Sequence, residues 1–394
     1  MFGSIYIGLS GLAAYSRGLQ QISNNVANLN SQGFKESTVT FENVLGANSR
    51  SRNGYAGTAG NGVRNGESRL DFAQGELRQT DRDLDLAIQG EGLLMLIRGD
   101  KVAYTRTGSF EVDKSGFIVL SGTEYRLATL NDAGRPQTLS VDLSRTSAPK
   151  ATTKVAFTDN LSSSATKPVT VGGIDVFDAT GAKHVWQAVF TKDVSANAAT
   201  GSWNVAVTDD KGAAIGTQTL RFGTGGSVDP TAATLTFSDS VSGASVAFDF
   251  SQGVTSFSGG DVSTLRASAV DGYGQGTFTS LGVNGQGQLE IGYSNEQKQQ
   301  LGSIAIVDFR DTAQLSQQAG GLFTALDTSQ RDILPSGDVR VGKVQSRRLE
   351  ASNVDLTVEF SDLILVQRGF QASSQIISVT NDMIQQLFGI RGQS

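Results

Sequence analysis

The sequence predicts an α+β protein, mainly β, in which terminal α-helices form a coiled-coil-like domain around two nested β-rich domains. Three observations carry this reading. Apolar residues recur at heptad spacing near both ends of the 394-residue chain. Between the ends, short runs alternate apolar and polar residues. Glycine is common at 47 residues and proline scarce at 5, a balance that suits tight turns between strands.

Near the N-terminus, Ile5, Leu9, Leu12, Ser16, Leu19, Ser23, Val26 and Asn30 step by alternating four and three, with Ile22 beside them. This predicts a helix from about Ser4 to Asn30, with Gly33 marking its end. Near the C-terminus, Leu363, Val366, Phe370, Ser373, Ile377, Thr380, Ile384 and Leu387 repeat the pattern. Ser352 and Asp355 precede them at capping-box spacing, which opens a second helix. Such a stripe must be buried against a partner helix. Ile22, Leu29, Ile364, Leu365, Ile376 and Met383 widen the apolar face beyond the seam, while the remaining positions favour Gln, Ser and Asn over Glu and Lys. A face that wide points to packing between copies of the chain. A lone pair burying half its stripe would not repay the entropy of ordering two long segments. Both ends are therefore expected to be disordered in the single chain and to fold on assembly.

The expected organisation is nested. Residues 1–34 and 353–394 make a terminal helical polymerisation domain, and 35–82 an extended connecting segment that includes a Gly- and Asn-rich loop over 47–66. Residues 83–145 and 277–352 make a discontinuous inner β-domain, and 146–276 an inserted outer β-domain of sandwich or barrel type. Leu93–Ile97 and Val102–Arg106 flank Arg98-Gly99-Asp100-Lys101 as a hairpin. Turns are expected at Asp113–Gly116, Asn131–Gly134 and Asp178–Lys183. Alternation at Trp203/Val205/Val207, Leu235/Phe237 and Val246/Phe248/Phe250 marks strands of the insert, and Ile304–Val307 and Val339–Val344 mark strands after it.

Composition excludes several classes. A net charge of -6 and a pI near 5.0 leave no basic face for nucleic acid. With no cysteine there are no disulfides, thiolate metal sites or cysteine nucleophiles. The longest apolar run, Leu93–Ile97, is far below the roughly 20 residues of a membrane span, and the start lacks a signal-peptide pattern. His184, the one histidine, lies in a strand beside Val185 and Trp186 and reads as structural. Asp81, Asp83 and Asp85 alternate like calcium ligands, yet Leu86 and Gly92 occupy the positions where such a loop needs Gly and Glu. They read as solvated strand-edge carboxylates. The tripeptide Arg98-Gly99-Asp100 reads as turn chemistry. No catalytic, cofactor or metal site is expected, and no enzyme.

The stretches Ile22–Asn28 and Gly33-Phe34-Lys35 resemble the N-terminal signature of the bacterial flagellar rod and hook family, through Asn24, Asn25, Asn28, Gly33 and Phe34. Leu84–Gly90 and Tyr104–Phe110 resemble that family's central module. Leu349–Leu356 and Gln367–Ala372 are similar to its C-terminal signature, through Ser352, Asn353, Asp355, Gln367 and Arg368. The segment from about Thr146 to Ala269 is an insert that shorter rod members lack. Asn160–Ala165 and Val176–Gly181 within it resemble the opening of the outer domain of hook-type members. The chain departs from the pattern at Ser373, often asparagine in the family, at Leu29–Gln32 and at Thr328–Leu334.

The resemblance implies a homopolymeric tube joining rod to filament, with terminal helices lining its channel. It also implies export through the flagellar type III apparatus without a cleaved signal peptide, an extracellular location, and rod, hook-cap and hook-filament junction proteins as partners. Uncharged polar residues such as Gln375 and Gln386 would then suit a channel that passes unfolded chains. A distal rod subunit is the same-family alternative. A secreted β-rich adhesin or binding module is the alternative from another class, but it leaves the heptads at both ends unexplained.

Overall fold

A computed structural model describes residues 2–45, 60–195 and 201–391. Residues 47–59 of the expected loop lie outside this range. The chain forms two compact units: 1–142 with 281–290 and 300–394, and 143–280 with 291–299.

The first unit contains both helices, α1 (Phe2–Ala27) and α2 (Leu356–Arg391). Both are already helical and packed on each other in the single chain, which corrects the expectation of disordered ends. The physical reason, set out below, is a glycine-lined contact and a polar anchor at the root of the pair. The α1 helix stops at Ala27, short of the expected Asn30. Asn28 to Gly33 then form turns, with the Leu29 amide donating to the Val26 carbonyl and the Ser31 amide to that of Asn28. Gly33 takes a left-handed φ of 65° there, the conformation glycine adopts without steric cost.

The start of α2 also differs from expectation. Asp355 precedes the first helical residue and its carboxylate accepts from the Thr357 amide at 2.7 Å. Asp355 is therefore the N-cap itself, while Ser352 lies outside the helix, so no capping box forms between them. Residues 60–65, expected as loop, form a strand antiparallel to Phe41–Leu45. This hairpin rests on α1, where the Val63 amide donates to Ser10 Oγ and Asn65 Nδ2 to the Ala14 carbonyl.

The body of the first unit is a twelve-stranded sheet. The hairpin Leu93–Arg98 with Lys101–Thr105 forms as expected, pairing Arg98 with Lys101 around Gly99-Asp100. Ala305–Phe309 pairs with Leu93–Arg98, and Lys343–Ser346 with Asp85–Gln89. Strands from either side of the insert thus share one sheet. Leu93, Met95, Tyr104, Val307 and Phe323 are buried together in its core. Of Val339–Val344 only the last two residues are strand; Val339 sits in an exposed turn closed by the Val341 and Gly342 amides on the Asp338 carbonyl. Asp85 is buried rather than solvated, because Ser109 Oγ donates to it at 2.6 Å.

Apart from a short 3-10 helix at Pro230–Ala232, the second unit is built of strands and turns among its described residues. Val169–Phe177, Lys183–Lys192, Ser202–Thr208 and Ala214–Arg221 make a four-stranded antiparallel meander. A second sheet places Lys154–Asn160 parallel to Ser245–Asp249 and antiparallel to Arg266–Val270. The alternating residues seen in sequence point into one aromatic core, where Phe157 stacks on Phe250 at 4.6 Å and Trp186, Trp203 and Phe248 are fully buried. His184 makes a 3.1 Å hydrogen bond with Asp178 Oδ2 at the turn before its strand.

Candidate assembly interface

The two helices run antiparallel, because the partners of α1 descend along α2 as α1 ascends. A Cβ placed on Gly8 would lie 2.8 Å from Ile377, one on Gly11 2.5 Å from Ser373 Oγ, and one on Gly18 3.2 Å from Val366. On the facing helix, a Cβ on Gly369 would enter the Tyr15 ring at 2.4 Å. Side chains of one helix thus sit against bare backbone of the other, and the axes approach closely. Tyr15 also packs on Phe41, with ring centroids 5.3 Å apart.

This places the sequence-derived seam in a new light. On α2 the register agrees in part: Val366, Ser373 and Thr380 are buried, and Leu363, Ile377 and Ile384 half-buried, but Phe370 and Leu387 are exposed. On α1 the buried face is Gly8, Gly11, Ala14, Gly18, Ile22 and Asn25. Of the α1 seam residues only Ile22 is buried; Ile5, Leu12, Leu19 and Val26 are half-buried and Leu9 is exposed. Heptad spacing was present, but the intramolecular contact runs along the small residues one step round the helix.

Both helices also carry apolar residues that the described residues leave exposed. Tyr6, Ile7 and Leu9 of α1 are exposed, as are Val358, Phe360, Ile364, Leu365, Ile376, Val379 and Met383 of α2. Leu365 is 68% and Tyr6 63% accessible.

At the root of the pair the three motif-bearing stretches converge on a buried ion cluster. Glu350 receives Lys35 Nζ at 2.7 Å and Arg106 Nε at 3.1 Å, and all three side chains are completely buried. The Gly75 amide donates to the same carboxylate at 2.9 Å. Lys35 also donates to the Ala73 carbonyl, and Arg106 to those of Gly92 and Gly90. Every charge is thus hydrogen-bonded, the condition for tolerating such a cluster in a dry interior. Burial lowers the Lys35 ammonium from its ordinary value, against the pull of Glu350.

The remaining motif residues frame this cluster. The Gly33 amide donates to the Glu350 carbonyl at 2.9 Å, and Phe34 is buried beside it. Asn353 accepts from the Glu36 amide and donates to the Asp71 carbonyl. Asn25, buried on α1, donates to the Ser37 carbonyl at 2.9 Å and to Glu359 of α2 at 2.6 Å, and accepts from the Ser37 amide. Asn24 is exposed and Asn28 half-buried. With Gln32, Gln317 and Gln318 they line a polar cleft of about 650 Å³. Ser352 is half-buried, and Gln367 and Arg368 are exposed on α2.

Sequence reasoning did not single out Lys35, Arg106, Glu350 or Glu359. Lys35, Arg106 and Glu350 each stood in a different quoted stretch, Lys35 and Arg106 as its one charged residue and Glu350 as one of two with Asp355. That was the available signal.

Comparison with known proteins followed the same regions. The family described as "Flagella basal body rod protein" matches residues 5–35, and "Flagellar basal body rod FlgEFG protein C-terminal" matches 345–390. The chain is 26% identical to the flagellar hook protein FlgE of Treponema pallidum, covering 99% of this chain and 100% of that one. It is 28% identical to the proteins of the same name from Escherichia coli and Salmonella typhimurium, each over 97% of this chain and 98% of the relative. A crystal structure of Helicobacter pylori flagellar hook protein FlgE2 superposes with a TM-score of 0.49 at 13% identity, covering 70% of this chain and 99% of that one.

Proposed function

Because the chain belongs to the family of flagellar basal-body rod and hook proteins, we propose that its helix pair is the polymerising element of a flagellar hook. The protein is a structural subunit of the hook, not an enzyme, and it assembles with copies of itself and with other flagellar components.

One observation supports the assembly mode best: the apolar residues of α1 and α2 that stay exposed among the described residues. A contact between different surfaces of identical copies repeats, and when its rotation does not close it generates a helical tube. In this reading Ile5, Leu9, Leu12, Leu19, Val26, Phe370 and Leu387 lie at or beside contacts between copies, and Ile22, Val366, Ile377 and Ile384 hold the pair within one chain. The tube transmits torque through the packed helices. It bends because polar faces of the outer β-unit exchange partners at little cost in any one register. The ion cluster joins each helix pair to its own β-sheet, so that force on one reaches the other.

Residues 1–34 and 353–394 then act as the polymerisation domain, 83–145 and 277–352 as the inner β-domain, and 146–276 as the outer one. The subunit leaves the cell through the flagellar type III apparatus without a cleaved signal peptide. Outside, it meets the rod, the hook cap and the hook-filament junction proteins. Electron microscopy of concentrated protein, full length and trimmed at both ends, tests the reading. Tubes from the full-length protein alone support it. Full-length protein that stays monomeric under every condition, or trimmed protein that polymerises equally well, overturns it.

A further inference from the structure

One residue beyond Lys35 of the ion cluster, Glu36 opens onto a second polar site. A cavity of about 150 Å³ opens between α1, the segment 36–41 and α2. Three carboxylic acids line it, Glu36, Glu359 and Asp362, together with Asn25 and Gln21, and no cation is among its lining residues. Glu359 is only 2% exposed. The cavity is closed by one contact chain, in which Asn25 of α1 holds Glu359 of α2 and the Ser37 backbone at once.

The groups facing Glu359 can be named element by element. From α1 come the uncharged Gln21 and Asn25; Arg17, the one charged residue of that helix, is exposed and not in the lining. From the strand segment comes Glu36, with Asp71 acting on it in turn. From α2 comes Asp362, with Asp355 acting on Glu36 from the N-cap. Lys35, one residue before Glu36, is committed to Glu350.

We infer that this site is a proton-operated latch: a proton taken up by Glu359 or Glu36 relieves the repulsion between their carboxylates and tightens the docking of α2 on the 36–41 segment, and its loss loosens that joint. Two like-charged carboxylates facing a shared, cation-free cavity repel when both are ionised. A proton on either one removes the repulsion. Burial raises the Glu359 carboxyl above its ordinary 4.5, aided by Asp362 and opposed by the Asn25 hydrogen bond. Burial also raises Glu36, followed by the charge of Glu359. The helix N-terminus favours the ionised form of Glu359, yet burial prevails. Because the docked state binds the proton more tightly than the undocked one, docking strengthens as pH falls through the raised values and weakens as it rises above them.

The latch belongs to the single chain and does not rest on the hook assignment, so its failure would leave that assignment untouched. The test is hydrogen exchange on the dilute full-length protein, read as protection factors for residues 356–366 at about pH 8 and about pH 5 after correction for intrinsic exchange. The wild type should gain protection severalfold at the lower pH. In Glu359→Gln the amide mimics the protonated acid and keeps an acceptor for Asn25, so protection at about pH 8 should rise toward the low-pH value and the pH response should shrink. Glu36→Gln should reduce the pH response and carries the test if the first variant misfolds. Wild-type protection that ignores pH, or a full response surviving in either variant, would overturn the inference.

Discussion

Lys35 Nζ lies 2.7 Å from Glu350 Oε1 with both side chains fully buried, although 315 residues separate them in sequence. One follows α1 and the other precedes α2, so the pair ties the roots of both helices together. Arg106, from the β-sheet between them, completes the cluster on the other carboxylate oxygen. Removing the shared carboxylate leaves two buried cations without a counter-charge. Glu350→Ala should therefore cost about 3–5 kcal/mol in denaturant unfolding followed by helical circular dichroism. Lys35→Met leaves Arg106 paired with Glu350 and should cost clearly less. Equal losses would mean that the three do not act as one cluster.

The glycine contacts between α1 and α2 predict a size limit. Gly11→Leu should destabilise the helix pair by about 1–3 kcal/mol through overpacking against Ser373. Ser373→Gly should restore part of that loss, since Ser373 Oγ is the atom that a Cβ at position 11 would meet. Independent, additive effects of the two changes in thermal unfolding would contradict direct contact.

The outward apolar face predicts a separation of folding from assembly. Ile376→Glu combined with Met383→Glu changes two exposed residues, so unfolding of the monomer should shift by no more than roughly 0.5 kcal/mol per site. Sedimentation should nonetheless show no polymer at concentrations where the wild type pellets. Normal polymer from this variant would remove the face from the assembly contact.

Acid should act first on the second unit. Hydrogen bonds from Thr180 and His184 hold Asp178 below its ordinary value of 3.8. The Thr231, Ser242 and Thr166 donors do the same for Asp229, Asp239 and Asp261. A depressed carboxyl contributes stability that is present above 3.8 and lost as pH falls through its folded value. Asp327 belongs to this class in the first unit, but Glu36 and Glu359 there are raised and gain stability on the same descent. Both tryptophans, Trp186 and Trp203, lie in the second unit and both helices in the first. On acidification, the thermal midpoint read by tryptophan emission should fall before the one read by helical circular dichroism. The reverse order would refute the assignment.

Much of this was legible in the chain. Tight-turn residues such as Gly99-Asp100 and Asp178–Lys183 identified hairpins, because few residue types accept those backbone angles. Alternation at Trp203, Val205 and Val207 identified buried strand faces. The α1 register was not legible. A helix whose apolar residues span a wide arc can turn either edge inward, and Gly8, Gly11 and Gly18 carry no hydropathy that would announce a packing face. Nor could alternation reveal that Asp85 is buried, since Ser109 reaches it only across the sheet.

The sequence by itself determined that helices stand at both ends, that strands lie between them, and that apolar residues spread over a wide arc of each helix. These are local properties, written in spacing and composition. Only the tertiary structure decided which edge of α1 meets α2, which apolar residues remain outside, and that Lys35, Arg106 and Glu350 share one buried cluster. Such pairings join residues hundreds of positions apart, and their energies depend on burial and distance, which spacing along a chain does not encode.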